Sequence, residues 1–310
     1  MGPQTYKFDS DFIFRRYPNK IVLLRHTKNA ILHPSFQIET SGTRPLVFDQ
    51  CMLIIDAGER HFCFTILMED TREFMALEFY QMKAGKHENE FRELVSNHPL
   101  LRQRYRKVCV FYNNGQDILI PDTVYNQDTG VQMLEMVMGD LHAGILMQDN
   151  IPEIKAHHIY SVPDYLHGEI SKLFPDAVFL HFHSGWIRKK LIQGGPADVM
   201  EVLFYPEMII VALWINNALH IIHSFQYDIP EDVSYHLLNI SSQWNLSTEE
   251  IPVIISGLLE TQSAMYTEIL KYFLKVDLDG KPSGFQYDFA FDNYPQHFFS
   301  PVFSLALCVS

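Results

Sequence analysis

Residues 51–80, CMLIIDAGERHFCFTILMEDTREFMALEFY, decide the fold. They contain three runs rich in β-branched and aromatic residues, at 51–56, 61–68 and 72–80. Short polar connections separate the runs, which predicts an antiparallel three-strand meander. Residues 198–226, DVMEVLFYPEMIIVALWINNALHIIHSFQ, repeat the pattern nearly half a chain length later. The sequence therefore predicts two meanders.

Similar elements follow each meander. The patterns after the first are a helix at 87–98, strands at 107–113 and 117–120, and a helix at 124–138. The patterns after the second are a helix from Asp228, a strand at 252–256 and a helix at 262–274. This order predicts a duplicated unit built on a mixed five-stranded sheet. A dinucleotide-binding fold is disfavoured, because no GxGxxG motif opens a helix.

The chain of 310 residues exceeds the size at which a single core stops growing, about 250–300 residues. We therefore predict two lobes, 48–196 and 197–310, after an N-terminal extension, 1–47, with one short strand. The motif Gly194-Gly195-Pro196 marks the boundary between the lobes. Within the first lobe, Ser161-Val-Pro-Asp164 matches a capping box and predicts a helix that ends at Pro175.

Composition and charge exclude several classes of protein. The net charge of −13 disfavours a nucleic-acid surface, and the basic cluster 102–107 fits a solvated junction between a helix and a strand better than a binding patch. No apolar run approaches the roughly 20 residues of a membrane span, and Lys20 and Arg25 interrupt the apolar stretch of the first thirty residues. The four cysteines are scattered, which predicts buried, reduced thiols. We expect a cytoplasmic protein.

The order of elements resembles the ribonuclease H-like unit that is duplicated in actin, sugar kinases and seventy-kilodalton heat-shock chaperones. The stretch from about Met52 to Leu278 is similar to an uncharacterised bacterial family, a domain of unknown function found in Bacteroidetes and placed in the actin-like ATPase superfamily. The segments that carry this similarity are 96–101, 119–121, 159–163, 173–175, 181–184, 223–225, 232–235 and 254–257. The resemblance implies an α/β fold with mixed sheets, in which each lobe is one ribonuclease H-like unit.

The resemblance also implies a cleft between the lobes that holds ATP and magnesium. The first phosphate loop of the superfamily is a strand that ends in Asp-x-Gly, which Asp56-Ala57-Gly58 matches. A carboxylate can hold magnesium through water, and a glycine lets phosphate approach the backbone. Asp-x-Gly is also an ordinary hairpin turn, and this structural interpretation is the one that we favour.

The other nucleotide motifs are incomplete. The second phosphate loop is replaced by Phe204-Tyr-Pro-Glu-Met208, in which Tyr205 and Pro206 would obstruct the approach of phosphate. The adenosine-binding turn normally carries two adjacent glycines, and Ser256-Gly257-Leu258 keeps one. We predict a degenerate nucleotide site without a cofactor. If ATP and magnesium bind, the residues that hold them are Asp56, Gly58 and Gly257.

Other catalytic and metal sites have weaker support. His181 and His183 would share one face of a strand, which is metal-ligand spacing, but no third ligand is evident nearby and a hydrogen-bonded pair is favoured. His157 and His158 would point to opposite faces of a strand. No GxSxG motif supports nucleophilic catalysis. A ribonuclease H-like nuclease could use Asp56 to hold metal, but the acidic charge balance argues against it.

The sequence thus predicts an actin-like scaffold or partner-binding protein with a degenerate nucleotide cleft. The sequence leaves enzymatic activity open and favours its absence. We expect no metal site, no membrane segment and an unidentified protein as the partner. The alternative is an ATP-binding switch or a kinase-like phosphotransferase. Activity remains open between these two functions.

Overall fold

A computed structural model describes residues 32–40, 46–82, 87–139, 141 and 144–309. Most of the predicted extension, including Lys20 and Arg25, lies outside the described residues. Within it, Phe36–Glu39 form a strand, β1. None of the helices in the described part of the chain is long and apolar enough to cross a lipid bilayer.

The first sheet contains seven strands. They are β1, β2 (Cys51–Ala57), β3 (His61–Met68), β4 (Glu73–Gln81), β5 (Lys107–Tyr112), β9 (Val178–His181) and β15 (Gln286–Tyr287). Their order is β1-β4-β3-β2-β5-β9, with β15 beside the start of β4. Strands β2 to β4 form the predicted antiparallel meander, and β5 and β9 continue the sheet parallel to β2.

The second sheet contains five strands in the order β12-β11-β10-β13-β14. They are β10 (Val199–Tyr205), β11 (Met208–Ile215), β12 (Ala218–Gln226), β13 (Val253–Gly257) and β14 (Val276–Leu278). This order and these strand directions match β4-β3-β2-β5-β9 of the first sheet. The two predicted meanders therefore open two sheets of the same mixed topology.

A separate three-stranded sheet, ordered β6-β8-β7, is inserted between β5 and β9. Its elements are β6 (Asp117–Pro121), α2 (Gln127–Met138), β7 (Gly144–Ile151) and β8 (Ala156–Pro163). The sequence predicts β6 and α2 but not β7. The apolar residues Ile145 and Leu146 of β7 are both exposed, so the first half of this strand does not alternate between buried and exposed side chains. Ser161, the expected cap residue of the next helix, lies inside β8, so the predicted capping box is wrong.

Helices cover both faces of the two main sheets. They are α1 (His87–Asn97), α3 (Asp164–Leu173), α4 (Phe182–Gln193), α5 (Pro230–Gln243), α6 (Ala264–Leu270) and α7 (Ser300–Leu305). Helices α1 and α3 pack on one face of the first sheet, and α5 and α6 pack on the outer face of the second. Helices α4 and α7 share one hydrophobic core with the inner faces of both sheets.

This layering explains the continuous apolar runs in the central strands. In β2, Leu53 and Ile55 pack in the core between the sheet and helices α1 and α3. Met52 and Ile54 pack on the opposite face, in the core that contains α4 and α7. A strand that is buried on both faces reads as an unbroken apolar run. Of the four unpaired cysteines, Cys51, Cys63 and Cys109 are buried, as expected, and Cys308 is half-buried.

Candidate functional site

Asp56, the predicted magnesium ligand, lies near the end of β2 and is completely buried. Its Oδ1 accepts hydrogen bonds from His61 Nε2, at 3.0 Å, and from Asn113 Nδ2, at 3.3 Å. Its Oδ2 accepts a hydrogen bond from the Tyr205 hydroxyl, at 2.6 Å. Both oxygens of the carboxylate are therefore bonded to protein groups.

Tyr205 comes from β10, so its hydrogen bond joins the two sheets. Its ring stacks on the His61 ring with a centroid separation of 4.3 Å. Burial, together with the charge of Asp56, raises the pKa of Tyr205 well above its usual value, so the hydroxyl stays protonated and donates. The exposed ion pair of Arg60 and Glu207, at 2.7 Å, joins the turns of the same two hairpins.

Gly58, the predicted phosphate-loop glycine, lies in the turn between β2 and β3 and packs against protein. Its N–H donates to the carbonyl oxygen of His61 at 3.0 Å, which is a hairpin bond. A Cβ at this position would lie 2.6 Å from the Asn113 carbonyl oxygen and 2.6 Å from His61 Cε1. Glycine is thus required here by close contact with Asn113 and His61.

Gly257, the predicted adenosine-side glycine, ends β13 with a positive φ of 84°. Its N–H donates to the His297 carbonyl oxygen at 2.7 Å, and a Cβ would lie 2.2 Å from the Phe204 carbonyl oxygen. The cavity beside it measures about 10 Å³ and is lined by Phe298, Phe299 and other apolar residues. A cavity of that size holds at most a single water molecule.

A second buried polar cluster lies where β6, β8 and β9 meet the start of α4. Its members are Asp117, His158, His181 and His183, and one potential ligand atom from each lies within 4.8 Å of the others. The sequence identified the pair His181 and His183, which would share one face if the strand continued through His183. Instead, β9 ends at His181, and Phe182 begins α4. Asp117 and His158 were not predicted because they lie far away in the sequence.

Asp117 is the centre of this cluster. Its Oδ2 accepts hydrogen bonds from His158 Nε2, at 2.7 Å, and from His183 Nδ1, at 2.9 Å. Its Oδ1 is buried and has no hydrogen-bond partner. Burial favours the neutral acid, but the neighbouring histidines, His183 foremost, hold the pKa of Asp117 well below its usual value. The carboxylate is therefore ionised.

In His158 and His183, the ring nitrogen that is not bonded to Asp117 contacts a serine hydroxyl group. His158 Nδ1 lies 2.9 Å from Ser184 Oγ, and His183 Nε2 lies 3.1 Å from Ser224 Oγ on β12. His181 Nε2 donates to the Asn114 carbonyl oxygen at 3.0 Å, and its Nδ1 accepts from the His183 N–H at 3.2 Å. Burial lowers the pKa of His181 well below its usual value, so that ring is neutral.

An apolar groove of about 860 Å³ separates β6 and α2 from β12. Met136 and Val137 of α2 line it and are 85% and 66% exposed. Strand β12 is the outer strand of its sheet, and β6 is the outer strand of the inserted sheet. Among the residues that the structure describes, 117–120 and 218–225 make no backbone hydrogen bond beyond their own sheets.

The basic cluster 102–107 follows α1 and ends at Lys107, the first residue of β5, as predicted for a junction between a helix and a strand. Arg106 pairs with Glu69 at 3.2 Å and with Asp70 at 3.8 Å, and Lys107 donates to the Val309 carbonyl oxygen. Two of its cations are therefore engaged within the chain.

The chain is similar to a protein family of unknown function and to a solved protein with an actin-like ATPase fold. A family model described as "Protein of unknown function (DUF3822)" matches residues 45–276. A solved protein of unknown function with an actin-like ATPase fold, from Bacteroides thetaiotaomicron, is 16% identical with a TM-score of 0.69, over 76% of this chain and 94% of its own. At that identity, the similarity shows the fold, so the predicted actin-like fold class is confirmed. No curated protein matches the sequence.

Weaker structural likenesses were also found. A type IV pilus biogenesis complex, PilM–PilN, is 10% identical with a TM-score of 0.49, over 83% of this chain and 98% of that one. The ethanolamine utilization protein EutJ from Carboxydothermus hydrogenoformans is 9% identical with a TM-score of 0.44, over 87% of this chain and 92% of its own.

Proposed function

This chain belongs to the DUF3822 family, a family of unknown function, and from that premise we propose that it is a partner-binding protein whose actin-like nucleotide cleft is closed. The observation that carries the proposal is the hydrogen bond from Tyr205 to Asp56. It places a protein hydroxyl on the carboxylate that the superfamily resemblance assigns to hydrated magnesium.

Opening this cleft to a nucleotide would disrupt several interactions together. A buried hydrogen bond to a charged group contributes about 1.5–3 kcal/mol, and Asp56 accepts three such bonds. At the adenosine side, Phe298 and Phe299 pack beside Gly257. ATP would have to displace both the polar and the aromatic contacts, so the cleft functions as a joint between the sheets.

The experiment for this part of the proposal is thermal unfolding of the full chain with and without magnesium ATP. A ligand present at a hundred times its dissociation constant stabilises a protein by about 2.7 kcal/mol. We expect no shift in the unfolding temperature at millimolar nucleotide. A shift at millimolar nucleotide would instead favour the alternative, an ATP-binding switch or kinase that uses Asp56, Gly58 and Gly257.

The groove between β6 and β12 is the proposed partner surface. Outer strands are usually protected by charged residues, prolines or short length. Strand β12 has nine residues and carries no Lys, Arg, Asp, Glu or Pro. Because the groove is apolar and bordered by two unpaired strand edges, the fitting partner is an extended apolar peptide segment that adds a strand to β12.

A photo-crosslinking amino acid at Met136 tests this surface in the native cell. The control position is Tyr235 of α5, which is 65% exposed and does not line the groove. The segment crosslinked at Met136 is then synthesised and titrated into the purified chain. We expect binding that Ile221→Lys in β12 weakens at least tenfold. Crosslinking to a second copy of the chain, together with a dimer in light scattering, would show that the groove binds another copy of the chain and not a different protein. Equal crosslinking at both positions would overturn the proposal.

A further inference from the structure

We propose that Asp117, His158, His181 and His183 form a binding site for one divalent transition-metal ion of the zinc type. The site would join the inserted sheet to the start of α4. The proposal rests on the contacts of these four side chains and not on the closed cleft or the partner groove, although Asp117 also lines the groove.

The donor set suits this class of ion. Imidazole nitrogen and carboxylate oxygen are common zinc ligands, at about 2.0–2.2 Å from the metal. Two ligands of one zinc ion therefore lie at most about 4 Å apart. The four candidate atoms already lie within 4.8 Å of one another, and Asp117 Oδ2 is 2.7 Å from His158 Nε2 and 2.9 Å from His183 Nδ1. Small rotations of these side chains would place an ion between them.

Electrostatics favour a cation at this position. Asp117 is 5% exposed, and its ion-pair partners among the described residues are His158 and His183. Its Oδ1 is buried without a hydrogen-bond donor. A buried charge is costly unless it is paired or coordinates a metal, and a buried acceptor without a partner costs about 1–3 kcal/mol. A dication would satisfy both requirements.

The surrounding hydroxyl groups provide an outer shell. A metal-bound histidine usually bonds through its other ring nitrogen to a second group, which fixes the ring. Ser184 Oγ and Ser224 Oγ are in that position for His158 and His183. Because Ser224 belongs to β12, the outer shell reaches the second sheet.

His181 would supply the fourth ligand by giving up one of its two hydrogen bonds. Its Nε2 is bonded to the Asn114 carbonyl and its Nδ1 to the His183 N–H. All three histidines are completely buried, so the site resembles closed structural zinc sites, which have four protein ligands.

The test begins with elemental analysis of the full chain purified without chelator. We expect about one zinc equivalent per chain. His158→Gln and His183→Gln should lose it, whereas His157→Gln should keep it, because His157 is the neighbouring residue on the opposite face of β8 and is part-exposed. Ser184→Ala, which leaves all four ligands, should lower zinc affinity about 10-fold to 100-fold.

A second measurement avoids reliance on variants that fail to fold. The wild-type chain is stripped with a chelator and titrated with Co²⁺, followed by visible absorption and thermal unfolding. We expect the absorption of tetrahedral Co²⁺ to saturate at one equivalent and the unfolding temperature to rise. A metal-free chain that shows no absorption and no thermal shift would overturn the proposal, as would equal metal content in His158→Gln, His183→Gln and His157→Gln.

Discussion

Asp56 and Asp117 are both buried carboxylates at the carboxyl-terminal side of the first sheet, but their surroundings differ. Asp56 receives three hydrogen bonds spread over both of its oxygens. Asp117 receives two, both at Oδ2, while Oδ1 has none. Both carboxylate oxygens of Asp56 are therefore hydrogen-bonded within the protein, whereas Oδ1 of Asp117 is not. The carboxylate that the superfamily resemblance assigns to magnesium is thus bonded within the protein, and the cluster around Asp117 is the better candidate for a metal site.

The two networks meet at adjacent residues. Asn113 donates to Asp56, and the Asn114 carbonyl accepts from His181. The Oδ1 atoms of both asparagines are buried and lack partners. The segment Asn113-Asn114-Gly115, which the sequence predicts as a turn after a strand, therefore connects the surroundings of Asp56 to the histidine cluster.

The largest expected effect is that of Asp56→Ala on stability. Three buried donors, from His61, Asn113 and Tyr205, would lose their acceptor. We expect the free energy of unfolding, measured by urea denaturation, to fall by about 3 kcal/mol or more.

The exposed Asp70 provides a matched control, because its carboxylate is 70% exposed and lies 3.8 Å from Arg106. Asp70→Ala should change stability by no more than about 0.5 kcal/mol. If Asp56→Ala costs as little as Asp70→Ala, Asp56 is not a structural carboxylate, and the contrast with Asp117 disappears.

A smaller but still large effect is expected from Gly257→Ala. The backbone has φ of 84°, and the new Cβ would lie 2.2 Å from the Phe204 carbonyl oxygen. The left-handed conformation costs about 1–2 kcal/mol, and overpacking adds about 1–3 kcal/mol. Urea denaturation should therefore show a loss of about 2–5 kcal/mol.

Gly284 separates the two contributions. It has the same φ of 84°, but a Cβ at this position would have no neighbouring atom within 4 Å. Gly284→Ala should cost only the conformational part, about 1–2 kcal/mol. Equal losses for the two glycines would mean that the Phe204 backbone can move away from a Cβ at position 257. The proposed adenosine side of the cleft would then not be closed by tight packing.

Much of the fold could be predicted from the sequence because its signals are local. The two meanders, α1 and β5 follow from apolar periodicity within single segments. Strand β7 could not be predicted, because its exposed apolar residues break the alternation that identifies a half-buried strand. The predicted cap of α3 is wrong because Ser161 lies in β8 and is paired with β7. This pairing between strands outweighs the local capping motif.

The candidate sites were predictable to different degrees for the same reason: single residues can be recognised locally, but contacts between distant segments cannot. Asp56, Gly58 and the obstructing Tyr205 could be selected because the superfamily resemblance implies phosphate loops at these two hairpins. The hydrogen bond between Asp56 and Tyr205, however, joins residues far apart in the chain. Asp117 and His158 meet only because β6 and β8 pair within the inserted sheet, with Asp117 opposite Tyr160 and His158 opposite Leu119. Without that pairing, His181 and His183 have no visible third ligand.

The smallest expected effect is a pH dependence at His297, which supports the Gly257 turn. Its Nε2 donates to the Leu259 carbonyl oxygen at 2.8 Å, and its own carbonyl accepts from the Gly257 N–H. Burial lowers the pKa of His297, although the Leu259 bond and the charge of Asp279 oppose the shift. Below a pH of about 6.5, the unfolded chain therefore binds more protons at this residue than the folded chain does.

Stability should consequently fall as the pH drops below about 6.5, as measured by urea denaturation at a pH of about 7.5 and of about 5.5. His181, His167 and His223 also have pKa values lowered by burial and act in the same direction. His297→Gln keeps an N–H donor for Leu259 but cannot titrate, so its stability should depend less steeply on pH. An unchanged slope would show that His297 is as readily protonated in the folded chain as in the unfolded one, and that the Gly257 side of the cleft is open to water.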